Sequence, residues 1–235
     1  MPLNKQTGEM YAWVTHTWNP ISGACPHACA YCYVEDLKRN PMLASKYSGS
    51  PELVAKELTL SHGQDKTIFV SNCADLFAEA VSADIISAIM EHCCRYSGNT
   101  YLFQTKNPSR LIKTSMSWPT NAILCTTIET NRAYPDTKAP LVMQRVEAMR
   151  YIRDAIGMAN NNWKLSVTIE PIMDFDLGPF YDMIASIKPD FVSIGADSKR
   201  CGLPEPSPDK VRALIKDLEL ITEVHQKKNL WRLLG

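Results

Sequence analysis

Six short apolar runs, each ending in a polar tip and most followed by a helix-like stretch, limit this chain to a few folds. Trp13–Trp18, Thr67–Ser71, Thr100–Thr105, Ala122–Thr127, Lys164–Ile169 and Phe191–Gly195 are rich in β-branched and aromatic residues and read as strands. Helical patterns lie between and after them. Pro51 to Leu58 follows Ser50, a suitable cap, with proline in the first turn. Ser82 to Tyr96 places Ile85, Ile86, Ile89, Met90 and Cys93 on one face, and Gly98-Asn99 stops it. Leu141 to Ile156, Pro179 to Ile187 and Pro208 to Val224 complete the set. Strands alternating with helices predict βα units, a mainly parallel sheet and right-handed crossovers. Six units are too few for a closed eight-stranded barrel, which leaves an open partial barrel or a doubly wound sheet. Both place their chemistry at the C-terminal ends of the strands.

At 235 residues, 45% apolar and 21% charged, the chain has the composition of a soluble globular protein that needs no disulfide or metal to hold a core. Disorder, collagen-like repeats and polyanion-binding tails are excluded. The 25 basic and 25 acidic residues balance, which argues against nucleic-acid binding through the overall field and leaves only a local basic groove. MPLNKQTGEM lacks the apolar stretch of a signal peptide, and no window approaches the roughly eighteen apolar residues of a membrane helix. The expectation is a cytoplasmic protein without membrane contact. The eight cysteines then belong to a reducing compartment, where clustered thiols more often bind metal than pair.

The residues just past the strands are Asn19 and the Cys25 loop, Asn72-Cys73-Ala74-Asp75, Lys106-Asn107, Glu129, Glu170 and Asp197. Singly, each suits a solvated loop or a helix cap. Together they crowd polar groups onto one rim, which predicts a shared cleft.

Cys25, Cys29 and Cys32 stand at spacing C-x3-C-x2-C in the loop after the first strand. Three thiolates on a short loop can converge on one metal centre. A structural zinc needs a fourth ligand, for which His27 and His16 are the candidates. An iron–sulfur cube fits three cysteines and leaves one iron open to a ligand from outside the protein. Cys93-Cys94 reads as helix core packing, and no other cysteine pair has ligand spacing.

This loop, with an aromatic (Tyr31) before the last cysteine, resembles the signature of the radical S-adenosylmethionine superfamily. The chain as a whole resembles a phage-associated radical SAM family of uncharacterised function, with distant similarity to spore photoproduct lyase-like proteins. The stretches that carry it are Trp18-Asn19-Pro20, Gly23 to Tyr33, Ser71 to Phe77, Thr105 to Pro108 with Arg110, Thr126 to Glu129, and Glu170-Pro171. They run over residues 13–197. Where the family often has a Gly-rich sixth strand, this chain reads Ile194-Gly195-Ala196-Asp197-Ser198.

The resemblance implies an α/β fold, an open partial (β/α)6 TIM-like barrel with the active site at the C-terminal ends of the strands. It implies one domain over 1–235, with a core at about 11–198 and a helical C-terminal extension over 199–235. It implies a 4Fe-4S cluster on Cys25, Cys29 and Cys32 that cleaves S-adenosylmethionine to a 5′-deoxyadenosyl radical, and an electron donor of the reductase, ferredoxin or flavodoxin type. By position, the backbone around Tyr31 faces the adenine, while Ser71, Asn72, Thr127 and Glu129 hold the methionine and ribose. Lys106 meets the cofactor carboxylate or a substrate phosphate. Glu170 and Asp75 suit substrate hydroxyls or proton transfer. Cys73 suits return of a hydrogen atom.

The lyase similarity favours a nucleic-acid or nucleotide substrate. Lys106, Arg110, Lys113, Lys199, Arg200, Lys227, Lys228 and Arg232 are the candidate phosphate contacts. Trp18, Tyr31, Tyr33 and Phe77 are candidate stacking platforms for bases or walls of a small-molecule pocket.

Overall fold

The computed structural model describes residues 3–6, 10–112, 117–134, 137–157 and 162–235. Lys113, one of the candidate phosphate contacts, lies outside them.

The strands are β1 (Asn4–Lys5), β2 (His16–Trp18), β3 (Ile21–Ser22), β4 (Glu52–Leu53), β5 (Thr67–Val70), β6 (Thr100–Thr105), β7 (Ala122–Thr127), β8 (Lys164–Ile169), β9 (Phe191–Ile194) and β10 (Glu223–Gln226). The helices are α1 (Val34–Leu37), α2 (Pro41–Lys46), α3 (Ala83–Arg95), α4 (Ser109–Ile112), α5 (Val142–Gly157), α6 (Leu177–Ile187), α7 (Pro208–Leu218) and α8 (Trp231–Leu234). One sheet runs β1-β2-β5-β6-β7-β8-β9-β10, parallel throughout except for β1. The β3–β4 pair forms a small antiparallel sheet apart from it.

The strand order follows the chain without reversing. A doubly wound sheet needs a reversal, because its helices must change face. Sequential right-handed crossovers instead keep the helices on one side, and α5, α6 and α7 pack in series there. The result is a mixed α/β protein with a mostly parallel central sheet, consistent with a partial TIM-like barrel.

All six expected strands form, the first shortened to His16–Trp18, with Trp13 in a turn before it. Ser82 and Ser207 cap α3 and α7, their hydroxyls accepting from the amides of Ile85 (3.3 Å) and Lys210 (3.4 Å). Two expectations are corrected. Residues 51–58 are not a helix: β4 pairs with β3, and a 3-10 turn over Ala55–Thr59 follows. The C-terminal segment is not purely helical either. α7 stops at Leu218, and β10 then joins the sheet as a seventh parallel strand beside β9.

Alternation along the strands divides the core. Ile68, Val70, Tyr101, Phe103, Leu124, Val167 and Val192 meet Ile86, Ile89, Met90, Val146, Met149, Ile184 and Leu214 from the helices. The opposite face begins with Phe69, Leu102, Ile123 and Phe191, packed with Tyr11, Val14 and Trp13. Above this apolar layer that face turns polar. Gln104, Cys125 and Ser166 stand in register across β6–β8, and Thr127, Thr168, Ser193 and His225 across β7–β10.

Tyr11 joins the two zones. Its hydroxyl hydrogen-bonds to Gln104 Oε1 (2.9 Å) and Thr168 Oγ1 (2.8 Å), and Lys227 Nζ lies 4.7 Å from its ring centre. Replacing Tyr11 by Phe keeps the ring and leaves two buried polar partners short of a bond. The expected loss is about 1 kcal/mol of stability, read as a lower urea midpoint; an unchanged midpoint would show that the hydroxyl bridges nothing.

Candidate active site

The cysteine loop is anchored before it begins. The β3–β4 pair holds its start, and Gly23 (φ +94°) sits where a Cβ would collide with the Ser50 carbonyl. Cys25, Cys29 and Cys32 are unpaired and half-buried in this loop, and α1 follows directly. Burial pushes the Cys25 thiol up to about 11 and raises Cys32 as well. Among the described residues, no three His, Cys, Asp or Glu groups are arranged to hold a metal ion.

The donor chemistry nevertheless distinguishes between metals. His27 Nε2 is engaged by Asp75 Oδ2 at 2.8 Å. His16 lies at the N-terminal start of β2, its Nδ1 at 2.9 Å from Thr15 Oγ1. Each engages one ring nitrogen, and neither is grouped with the three thiols as a fourth ligand among the described residues. Three thiols without a fourth protein ligand fit a cube held at three irons. An orphaned group lies on the same rim: the buried Ser71 hydroxyl, at the end of β5 in left-handed backbone (φ +57°), has no hydrogen-bond partner among the described residues.

Asp75 ties the rim together. Its carboxylate accepts from His27 of the cysteine loop, from Thr105 Oγ1 (3.0 Å), and from the amides of Lys106 (2.8 Å) and Phe77 (2.9 Å). Burial, the largest influence, would raise this carboxyl, but the His27 bond and charge with the other donors outweigh it and hold it below its ordinary 3.8. Beside it, Asn72 accepts from Asn19 Nδ2 (2.8 Å) and exchanges hydrogen bonds with Tyr33. Cys73 is buried with Val34 and Tyr47, its sulfur 3.7 Å from the Tyr33 hydroxyl.

A second carboxylate, Glu129 just past β7, is buried among three donors. Tyr31 OH donates to Oε1, Lys106 Nζ lies 3.1 Å from Oε1, and Arg145 Nη1 lies 2.9 Å from Oε2. Lys106 also reaches the Tyr31 hydroxyl at 2.5 Å. Arg145, on α5 and only 2% exposed, is fixed by the carbonyls of Thr127 (3.0 Å) and Pro140 (2.8 Å). Burial favours the neutral form of Glu129, but the Lys106 and Arg145 charges prevail and hold it below 4.5. Burial, then the Glu129 charge, raises the Tyr31 phenol and keeps it protonated. Thr127 is not mere strand packing, since its hydroxyl accepts from Gln104 Nε2 (3.3 Å).

Tyr31, Lys106 and Glu129 therefore converge, with Thr127 adjoining; Ser71, Asn72 and Cys73 form the neighbouring group. Glu170 does not join either. It binds Lys227 Nζ through both oxygens (2.7 Å each) and Asn229 Nδ2 (3.1 Å). A Cβ on Gly195 would lie 2.8 Å from Glu170 Oε1, so the bare backbone there makes room for this pair. Asp197 accepts from the amides of Lys199 and Cys201 and closes its own turn.

Several expected substrate contacts are corrected. Trp18 and Phe77 are buried, Trp18 against His62 and His92 and Phe77 against Phe103 and Trp118, so neither offers a face to a base. Arg110 donates to the Ala78 and Val81 carbonyls, while Lys199, Lys227 and Arg232 pair with Asp36, Glu170 and Glu205. Arg200 and Lys228 are exposed. Arg145 was missed by sequence reasoning. Its signal was an arginine inside the apolar stripe Val142, Val146, Met149 and Ile152 of a predicted helix.

The depressed Asp75 sets a pH dependence. A carboxyl held below its ordinary value contributes stability in full above that value and loses it as pH falls through the folded-state value. Asp75→Asn is expected to cost about 2 kcal/mol at pH 7, with the penalty starting to shrink below pH 3.8, where the unfolded chain takes up the proton, and vanishing once pH has fallen through the lower folded-state value and the native group is protonated too. Urea unfolding of both proteins from pH 7 to pH 2 measures this; a penalty independent of pH would show that the charge is immaterial.

No curated protein matches the sequence. Among solved structures, a cysteine-to-serine mutant of spore photoproduct lyase aligns with a TM-score of 0.61 at 9% identity, covering 94% of this chain and 78% of the other. Spore photoproduct lyase complexed with dinucleoside spore photoproduct gives 0.55 at 11% identity, covering 91% and 64%. A double mutant of the same lyase, with bound AdoMet and dinucleoside spore photoproduct, gives 0.55 at 10%, again covering 91% and 64%. The chain thus spans 64% of the length of these ligand-bound proteins, and at such identities the likeness is one of fold. Residues 9–155, more than half of the chain, match a family model, and the chain belongs to that family, described as a protein of unknown function (DUF5131).

Proposed function

We propose that this chain is a radical S-adenosylmethionine enzyme with a 4Fe-4S cluster on Cys25, Cys29 and Cys32. The observation that carries the reading is the three-thiol loop standing beside the buried Tyr31–Glu129–Lys106–Arg145 network, at the C-terminal ends of parallel strands. The fold it shares with an AdoMet-bound lyase supports the choice of cofactor. What the bound cluster supplies is an electron to the sulfonium, yielding a 5′-deoxyadenosyl radical that takes hydrogen from a substrate.

The protein's part is to bind, orient and exclude water. The Tyr31 backbone faces adenine, Ser71 and Asn72 meet the methionine end, and Thr127 and Glu129 hold the ribose. Ser71 is the most economical of these assignments, because a buried hydroxyl without a partner gains a full hydrogen bond when a ligand arrives. Lys106 presents its ammonium to an anionic group. Cys73 supplies a hydrogen atom, and Glu170 meets a substrate hydroxyl after leaving Lys227. The substrate is related to a nucleic acid or nucleotide, in line with the dinucleoside bound by the lyase. Arg200 and Lys228 are the exposed cations for its phosphates. The electron comes from a reductase or a ferredoxin- or flavodoxin-type protein, in the cytoplasm. One domain spans 1–235, and the family setting is phage-associated.

Anaerobic reconstitution with iron and sulfide, then dithionite and S-adenosylmethionine, tests this by chromatography. Wild-type protein is expected to release 5′-deoxyadenosine, and Cys29→Ala to release none. Uptake of about one zinc per chain with no cofactor cleavage would sink the proposal and leave a structural zinc protein.

A further inference from the structure

Lys106, Glu129 and Arg145 hold two cations against one carboxylate in a place with little water; their side chains are 13%, 5% and 2% exposed. One positive charge is in excess. Uncompensated buried charge is expensive, so such a surplus implies a counter-anion. Asp75 does not supply it, because its carboxylate faces His27, Thr105 and the Lys106 amide rather than the ammonium. The ammonium touches Tyr31 OH and Glu129 Oε1, and it lies within electrostatic range of Cys29. Arg145 meanwhile grips both Glu129 oxygens (2.9 and 3.2 Å) from a seat fixed by two backbone carbonyls.

We propose that Arg145 is a positioning residue that neutralises Glu129 and so releases the Lys106 charge to an anionic ligand at the cysteine-loop edge of the rim. Without Arg145, Lys106 and Glu129 form a closed one-to-one pair and the seat loses its attraction. The ligand is a carboxylate. This rests on the reading that the rim binds S-adenosylmethionine, whose amino-acid end carries one.

The experiment compares dissociation constants of S-adenosylmethionine and its decarboxylated analogue on the reconstituted full chain by equilibrium dialysis. Loss of the analogue's chelating group affects every variant alike, so the ratio of the analogue's constant to that of S-adenosylmethionine reads the seat. Arg145→Met is expected to lower that ratio about tenfold, the scale of one charge-assisted bond. Adding Glu129→Gln to Arg145→Met removes the carboxylate that captures Lys106 and is expected to restore the ratio to within about threefold. A structural role for Arg145 alone would give no such rescue. An unchanged ratio in Arg145→Met, or no recovery in the double variant, overturns the proposal.

Should Arg145→Met fail to fold, the double variant is compared with Lys106→Met. Retention in the first and loss in the second support the seat; equal ratios overturn it. Wild-type protein that binds neither cofactor form refutes the S-adenosylmethionine reading, and acetate then decides the seat. Acetate replacing chloride at fixed ionic strength is expected to raise the unfolding temperature of wild type more than that of Lys106→Met. An equal response in both overturns the proposal.

Discussion

One buried carboxylate, Asp75, holds the ends of separate βα units in a common frame. It sits in the loop after β5, takes the His27 imidazole from the loop after β3, and takes the Thr105 hydroxyl and Lys106 amide from the end of β6. Loops are where backbone hydrogen bonding is least complete, and a parallel sheet leaves its strand ends splayed. A carboxylate that accepts from three segments corrects both at once. It also fixes which way the Lys106 side chain leaves β6, which is toward Tyr31 and Glu129. The placement of the cysteine loop therefore follows from a residue outside that loop.

How much of this was legible in the sequence depended on how local each interaction is. β5 to β9 announce themselves because each is largely buried on both faces and is rich in β-branched, aromatic and other apolar residues. β10 has a single apolar residue, Val224, because it is an edge strand paired on one side only. Residues 51–58 carry a genuine local helix signal in Ser50-Pro51, but pairing of Glu52 with Ser22 and of Leu53 with Ile21 overrides it. Asp75, Lys106 and Glu129 were visible as polar strand ends. Their grouping was not, because the partner that organises Glu129 comes from the helix after it. Trp18 and Phe77 were placed correctly near the rim but on the wrong side of the strands, in the helix-facing core.

The two rim carboxylates are treated oppositely by their surroundings, and the difference is one of stoichiometry. Glu129 meets two cations and a phenol in nearly dry surroundings. Glu170 meets one lysine and one amide, is 21% exposed, and owes its position to the absence of a side chain on Gly195. The first arrangement is locked, since Arg145 cannot leave without abandoning two carbonyls and a charge. The second rests on a single cation and one amide, carried on a short segment after an edge strand, with Asn229 also donating to the Ala196 carbonyl (2.9 Å).

That asymmetry divides the rim. Its β6–β7 corner carries two fixed cations against the one Glu129 carboxylate, and its β8–β10 side carries a neutral pair above hydroxyls, of which Ser166 and Ser193 have no partner among the described residues. A cofactor with a permanent carboxylate is served by the first side, where the field is already built and needs no reorganisation on binding. A polar substrate is served by the second, where unpaired hydroxyls and a separable ion pair can exchange partners. Under the radical reading, the cofactor is gripped on the rigid half while its neighbour is received on the adaptable one. Tyr11, hydrogen-bonded to β6 and β8 beneath both, holds the two halves at a fixed separation.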